Sequence, residues 1–337
     1  MIALERVMSV FERTPPDVRP VVPEVFGVTA RLNGYRVYQY VTDSKVLAES
    51  QIRTRKEMGY DALFAFADLL VEAEAIGCRL HYNDDAYPYI IDPVLKDIDS
   101  VEYLVNPDPV KDGRMPVLLE AARVLREHAD DECLVAACVV GPITIAAHLM
   151  GLETFLYKLI DEPEKVNRLL DFTEEVTKVY GKELLRAGAH CLIVFDPVSS
   201  PDVIPSSHFL RFESPRLKRV FEYLSSHGSL ISWISIAGPT QRIIPYYRET
   251  GINMATIDYE VTIGDAFSLC KGIVLNGNLK PYDFVSANPE DIDRKVRACI
   301  NEAEGRSNFI IGTGCEIPLE ARADNIMAIV RAARDFK

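Results

Sequence analysis

Apolar residues fall into two kinds of run along this chain. Short, nearly continuous stretches rich in β-branched and aromatic residues alternate with longer stretches whose apolar positions recur every three or four residues. The first kind occupies 19–27 (RPVVPEVFG), 61–68 (DALFAFAD), 134–142 (LVAACVVGP) and 191–197 (CLIVFDP), then 230–238 (LISWISIAG), 252–260 (INMATIDYE), 272–278 (GIVLNGN) and 308–315 (NFIIGTGC). Runs without polar alternation are what parallel strands covered on both faces require. The second kind predicts helices. In 161–188, Val166, Leu169, Leu170, Val176, Tyr180 and Leu184 share one face; Asp161 is placed to cap the start, Pro163 sits in the first turn, and Gly188 marks the end. The stretch 288–305 repeats this design, with Asn288 as cap, Pro289 next and Gly305 at the stop, and MPVLLEAARVLREHAD and ADNIMAIVRAARDF also read as helices. About eight strand–helix units predict a (β/α)8 TIM barrel, a single domain over 1–337 with a short N-terminal helical extension. A doubly wound sheet would need fewer strands or a second domain. The Asp-, Pro- and Tyr-rich segment 79–116 reads as a long excursion after the second strand.

Composition narrows the chemistry. The seven cysteines are scattered, odd in number and mostly inside apolar runs, which predicts reduced thiols in a cytoplasmic protein. No uninterrupted apolar run is long enough for a bilayer, and the charged N-terminus has no apolar signal core, so no membrane or export is expected. The net charge of −13 argues against a nucleic-acid partner.

In a barrel, the C-terminal strand ends build the site. Here they carry Glu24, Asp68, Gly141-Pro142, Asp196-Pro197, Ser235 and Gly238, Asp258 and Glu260, Asn278, and Cys315-Glu316. Carboxylates gathered on one mouth raise each other's pKa values, which suits acid–base or metal chemistry. Asp68, Asp196 and Glu260 are the candidate catalytic acids; Glu24, Glu72, Ser235 and Asn278 are the candidate substrate-binding residues. Tyr82, Tyr87 and Tyr89 offer an aromatic wall in the excursion. His148, on a helix, reads as a core or surface histidine, and His190, just before a strand, falls at the opposite end of the barrel.

Five segments in order, DLLVEAEAIGC, VVGPITIAAHLMG, AGAHCLIVFDPVSSPDVI, VLNGNLKP and GTGCEIP with ADNIMAIV, resemble the uroporphyrinogen decarboxylase superfamily. They resemble most its corrinoid-dependent methyltransferase branch, the methylcobamide:coenzyme M methyltransferases. The resemblance spans roughly residues 20 to 335 and implies a (β/α)8 barrel. It also implies methyl transfer between a small methyl donor or acceptor and a corrinoid held by a carrier protein. The decarboxylases' arginine-rich signature is absent from VVPEVFGVTARLNGYR, although Asp68 matches their pyrrole-binding aspartate. Thiol-methylating members hold zinc through a His-x-Cys pair and a later Cys. The later position matches Cys315, but Ser235 and Ala237 stand where the pair belongs. Three readings of Cys315 follow. It lines a pocket that has lost its metal; or it shares a metal with Glu24, Asp196, Glu260 or a histidine; or the site takes a substrate that needs no thiolate. The expected activity is demethylation of a small methylated molecule, such as a methoxyaromatic, on the corrinoid. A tetrapyrrole decarboxylase and a non-catalytic binder of a corrinoid or partner protein are the alternatives.

Overall fold

The computed structural model describes residues 1–336. Seven parallel strands make one curled sheet: β1 (Ala62–Ala65), β4 (Leu134–Val140), β5 (Cys191–Phe195), β6 (Ser232–Ser235), β7 (Met254–Ile257), β8 (Val274–Leu279) and β9 (Phe309–Thr313), neighbours in that order. Between β1 and β4 the excursion forms an antiparallel hairpin, β2 (Arg79–His81) with β3 (Tyr89–Asp92). Helices separate the barrel strands and cover them, as the (β/α)8 expectation requires.

The expected first strand survives as a single bridge, Val21 to Ile311. Pro20 and Pro23 supply no N–H, so a full ladder cannot form there. The segment still closes the ring. On one side the Ile311 N–H donates to the Pro20 carbonyl (3.0 Å) and the Val22 N–H to the Ile311 carbonyl (2.8 Å). On the other, the Asp61 N–H donates to the Val21 carbonyl (2.8 Å), and the Asp61 carboxylate accepts from the Val21 N–H (2.8 Å).

Inward-facing residues fill the barrel in layers. Lower down they are apolar: Val22, Ala62, Leu134, Cys191, Trp233 and Met254 pack together, and Val7 and Val10 of the N-terminal helix Ala3–Phe11 plug the bottom. Higher up, on the β6 to β9 side, they turn polar: Glu24, Ser235, Thr256 and Asn276 are all buried. Trp233 bridges the two zones, its indole N–H donating to Thr256 Oγ1 (2.9 Å).

Helix boundaries follow the expected signals with one correction. The Asn288 side chain caps Pro289–Glu302 by accepting from the Asp291 N–H (2.9 Å). Asp161 caps nothing: it ends the helix Leu152–Asp161, and Pro163–Arg186 starts after Glu162. His190 lies at the lower end of the barrel, where its Nδ1 accepts from the Val135 N–H (2.9 Å).

Candidate active site

Two adjoining chambers open at the C-terminal ends of the strands. The outer one, about 380 Å³, lies between the β1 loop and the hairpin; Asp68, Leu69, Tyr87, Tyr89, His148 and Glu316 form much of its wall. The inner one, about 180 Å³, is walled by Phe26, Phe66, Phe195, Ser235, Ala237 and Cys315, with Leu69 and Glu316 again. Phe66, Leu69 and Glu316 belong to both, so the chambers form one funnel. Its inner wall is an aromatic cluster. Phe26 meets Phe66 and Phe195 edge-on (centroids 4.7 and 5.8 Å apart), and Phe66 stacks on Phe195 at 5.2 Å.

Glu316 stands where the chambers meet. The Tyr87 hydroxyl donates to its carboxyl and accepts from the Gly27 N–H (2.9 Å). Protein surrounds Glu316 except where it faces the funnel, and this burial pushes its pKa up to about 8, with nearby Glu24 adding to the rise. Glu24 lies beneath the inner chamber, fully buried. Its Oε1 accepts from Ser235 Oγ (3.1 Å) and Thr256 Oγ1 (2.8 Å), while its Oε2 has no partner. Burial lifts Glu24 to about 7 despite the two hydroxyls. Burial, with Glu24, Asp258 and Glu316 near, pushes the Cys315 thiol up to about 12. At neutral pH it is therefore a thiol and a poor nucleophile. His148, expected in a core or on a surface, instead reaches the outer chamber, and burial lowers it to about 4, so it is neutral.

Asp68 lines the outer chamber but is not free. The Arg114 guanidinium grips both its oxygens and also holds Glu74. Arg114 in turn lies under the Tyr82 ring, 5.3 Å from its centroid.

Four expected site residues turn away from the funnel. Asp196 sits under the helix Pro142–Met150, its Oδ1 accepting from the Thr144 N–H (3.0 Å) and hydroxyl (2.6 Å), and it also accepts from Ser199. A carboxylate at the third N–H of a helix is an N-terminal cap, which explains its place at a strand end. The cap needs Gly141, where an added Cβ would lie 2.4 Å from Asp196 Cγ. Gly141→Ala is expected to cost about 2 kcal/mol of stability through this overlap, read as a lowered urea midpoint. Glu72 is buried behind the sheet, where Oε1 accepts from the Val140 N–H (2.8 Å). Glu260 points to solvent, and only its backbone bonds to Asp258 and Gln241. Asn278 donates to the Val261 carbonyl (2.6 Å), away from the barrel axis. Gly277 permits that turn: its φ is +148°, and a Cβ there would meet the Ile257 carbonyl at 2.6 Å. Asn276, which was not among the expected residues, faces inward instead, with both amide atoms unpartnered.

Glu72 predicts a pH effect. Burial pushes its pKa from 4.5 up to about 7. Between those values the unfolded chain loses the proton and the folded chain keeps it, so stability falls as pH rises. Glu72→Gln should flatten the decline by about 3 kcal/mol between pH 5 and pH 8 in urea titrations.

A zinc–thiolate centre does not fit these donors. Ser235, Ala237 and Cys315 do share the inner wall, but alanine binds no metal and serine binds zinc poorly. Of the suggested substitutes, Glu260 and Asp196 face elsewhere, His148 lines only the outer chamber, and Glu24 alone adjoins the inner wall through Ser235. Among the described residues, no group of three or more His, Cys, Asp or Glu side chains is placed to hold a metal ion.

The profile of the family described as uroporphyrinogen decarboxylase (URO-D) matches residues 3–336. The chain belongs to that family. Among its curated relatives is the methylated-thiol–coenzyme M methyltransferase of Methanosarcina mazei, 27% identical over 87% of this chain and 77% of that protein. Another is the methylcobamide:CoM methyltransferase MtbA of Methanosarcina acetivorans, 24% identical over 99% and 98%. A uroporphyrinogen decarboxylase of Thermodesulfovibrio yellowstonii is 24% identical over 89% and 88%. A methyltransferase structure from Methanosarcina mazei superposes with a TM-score of 0.91 at 21% identity, covering 100% of this chain and 99% of that one, which shows the shared barrel fold. No single helix among the described residues is long and apolar enough to cross a membrane.

Proposed function

We propose that this chain is a methyltransferase that takes a methyl group from a small, uncharged methylated compound, of the methoxyaromatic class, for a corrinoid presented by a carrier protein. The carrying observation is the funnel's chemistry: aromatic walls, a carboxyl held by Tyr87 at the junction of the chambers, and no Lys or Arg among the lining residues. The methyltransferase relatives give the reaction class. The walls favour a flat apolar donor, and the absence of a lining cation disfavours a sulfonate or carboxylate substrate.

The corrinoid, when bound, supplies the cobalt nucleophile that accepts the methyl group. Exposed Tyr89, Ile91, Tyr259 and Tyr282, on the hairpin and on loops after β7 and β8, give the mouth an apolar rim suited to a flat macrocycle and its carrier. This chain's own residues hold the donor and manage one proton. As the methyl carbon–oxygen bond breaks, the oxygen keeps the electron pair and takes the proton from Glu316, leaving a phenol. Tyr87 and the Gly27 N–H steady the carboxylate left behind, and solvent at the funnel mouth restores its proton. Cys315, a neutral thiol, and the aromatic cluster keep water from the inner chamber.

The decarboxylase reading finds less support here. Its pyrrole-binding aspartate would be Asp68, which Arg114 already occupies, and the funnel lacks the free cations that substrate carboxylates would need.

Anaerobic incubation with cob(I)alamin and separate panels of methoxyaromatics, methyl thioethers and methylamines tests the proposal. Methylcobalamin should form, seen by its absorbance, with methoxyaromatics fastest. No methylcobalamin from any panel would overturn the methyltransferase reading; product from thioethers alone would overturn the substrate class.

A further inference from the structure

A second large cavity, about 460 Å³, lies at the other end of the barrel from the funnel. It sits where the ends of four helices meet: Ala3–Phe11 and Ala323–Asp335 from the two ends of the chain, with Ser44–Met58 and Met115–Ala129. In a protein of net charge −13 its lining is cationic. Arg6, Arg55, Lys56 and Arg334 face it, joined by exposed His128, and only Asp61 and Glu132 oppose them.

These cations are not equally engaged. Arg6 is spent on Asp17 and Asp61 (both 2.7 Å). Arg334 donates to the Gly59 carbonyl (2.7 Å), which leaves it most of its five donors. Arg55 and Lys56 make no ion pair among the described residues, and Arg55 Nε is buried without an acceptor. Both lie in the last turn of their helix, where the dipole favours positive charge. That accounts for the charges there. Arg55 Nε is closed off from the cavity, so its terminal nitrogens are the ones that meet a ligand there. Guanidinium nitrogens without an ion pair beside an ammonium are the donor set that an anion with several oxygens satisfies. The cavity also exceeds what one tetrahedral anion fills, leaving room for an organic body.

We propose that this cavity binds a phosphate monoester of a small metabolite, with its phosphate held by Arg55, Lys56 and Arg334. Such a ligand ties the first and last helices of the chain to the helix Ser44–Met58, so its binding stabilises the fold from the end remote from the funnel. Glu132 opposes the phosphate and limits its affinity.

Calorimetric titration of the full chain at low ionic strength, with inorganic phosphate, glycerol 3-phosphate and AMP in separate arms, tests this. Saturable binding of a monoester at one site is expected, tighter than inorganic phosphate, with a matching rise in melting temperature. Arg55→Met and Lys56→Met should each weaken it, Arg55→Met by about tenfold or more. Glu132→Gln should strengthen it, a gain that no misfolded variant would give. Arg53→Met, on the same helix but already paired with Glu49, should leave it unchanged. If inorganic phosphate binds as tightly as the monoesters, the organic body plays no part and the ligand class is wrong. Equal affinity in wild type and Arg55→Met, or no saturable binding in any arm, would overturn the site itself.

Discussion

Glu316→Gln will lower the rate of methyl transfer from a methoxyaromatic by about 10²–10⁴-fold, the usual worth of a positioned general acid. The amide has nearly the same shape, and its oxygen still accepts from Tyr87, so the fold should hold. What disappears is the proton. The loss should depend on the leaving group. An unactivated aryl ether needs protonation as its bond breaks, whereas a nitro-substituted one departs as a stable phenolate and should be much less affected. In the wild-type enzyme the rate should fall as pH rises through about 8, where Glu316 ionises. Both effects are read from the rate of methylcobalamin formation against pH and ring substituent. A loss equal for all leaving groups would assign Glu316 to positioning instead.

Arg114→Met should destabilise the protein by about 3–5 kcal/mol, because it leaves the Asp68 carboxylate buried without a partner. Asp68 and Arg114 side chains are only 5% and 7% exposed, so water cannot take the place of the lost ion pair. Glu74 and the Val41 carbonyl lose a donor in the same step. Adding Asp68→Asn to the variant should recover part of the loss, since the stranded charge is gone. Arg114→Lys should rescue poorly, because an ammonium cannot grip both carboxylate oxygens and reach Glu74 as a planar fork does. Denaturant midpoints for wild type, Arg114→Met, Asp68→Asn, their double variant and Arg114→Lys decide this, and additive costs for Arg114→Met and Asp68→Asn would show that the pair is not coupled.

Much of the barrel was legible because its strands are covered on both faces and so leave unbroken apolar runs. The segment 19–27 shows the limit of that signal. Val21, Val22 and Val25 read as strand, yet Pro20 and Pro23 withhold the donors, and one bridge is all that forms. The hairpin around Tyr87 left no such trace, since its two strands are short and partly exposed. At the site, strand-end reasoning placed Asp68, Ser235 and Cys315 on the funnel wall. It misplaced Asp196 because a carboxylate at a strand end can equally cap the next helix, and the two arrangements look alike in one dimension. Glu316 was visible as a strand-end carboxyl beside Cys315, but not among the candidate acids. Its role depends on Tyr87, more than two hundred residues earlier in the chain, a partnership no local pattern encodes.

The sparse bonding at the ring's closure, where two prolines withhold donors, has a dynamic cost. Where only a handful of amide bonds join the first segment to its two neighbours, the barrel has a seam, and the least costly way to open it runs along that line. Glu24 and Phe26 ride on the seam. A transient parting there would wet the carboxyl beneath the inner chamber and pull one wall from the aromatic cluster while the other strands stay paired. The floor of the funnel is thus built on the part of the cylinder with the fewest ladder bonds, and substrate packed against Phe26 would act as its fastener.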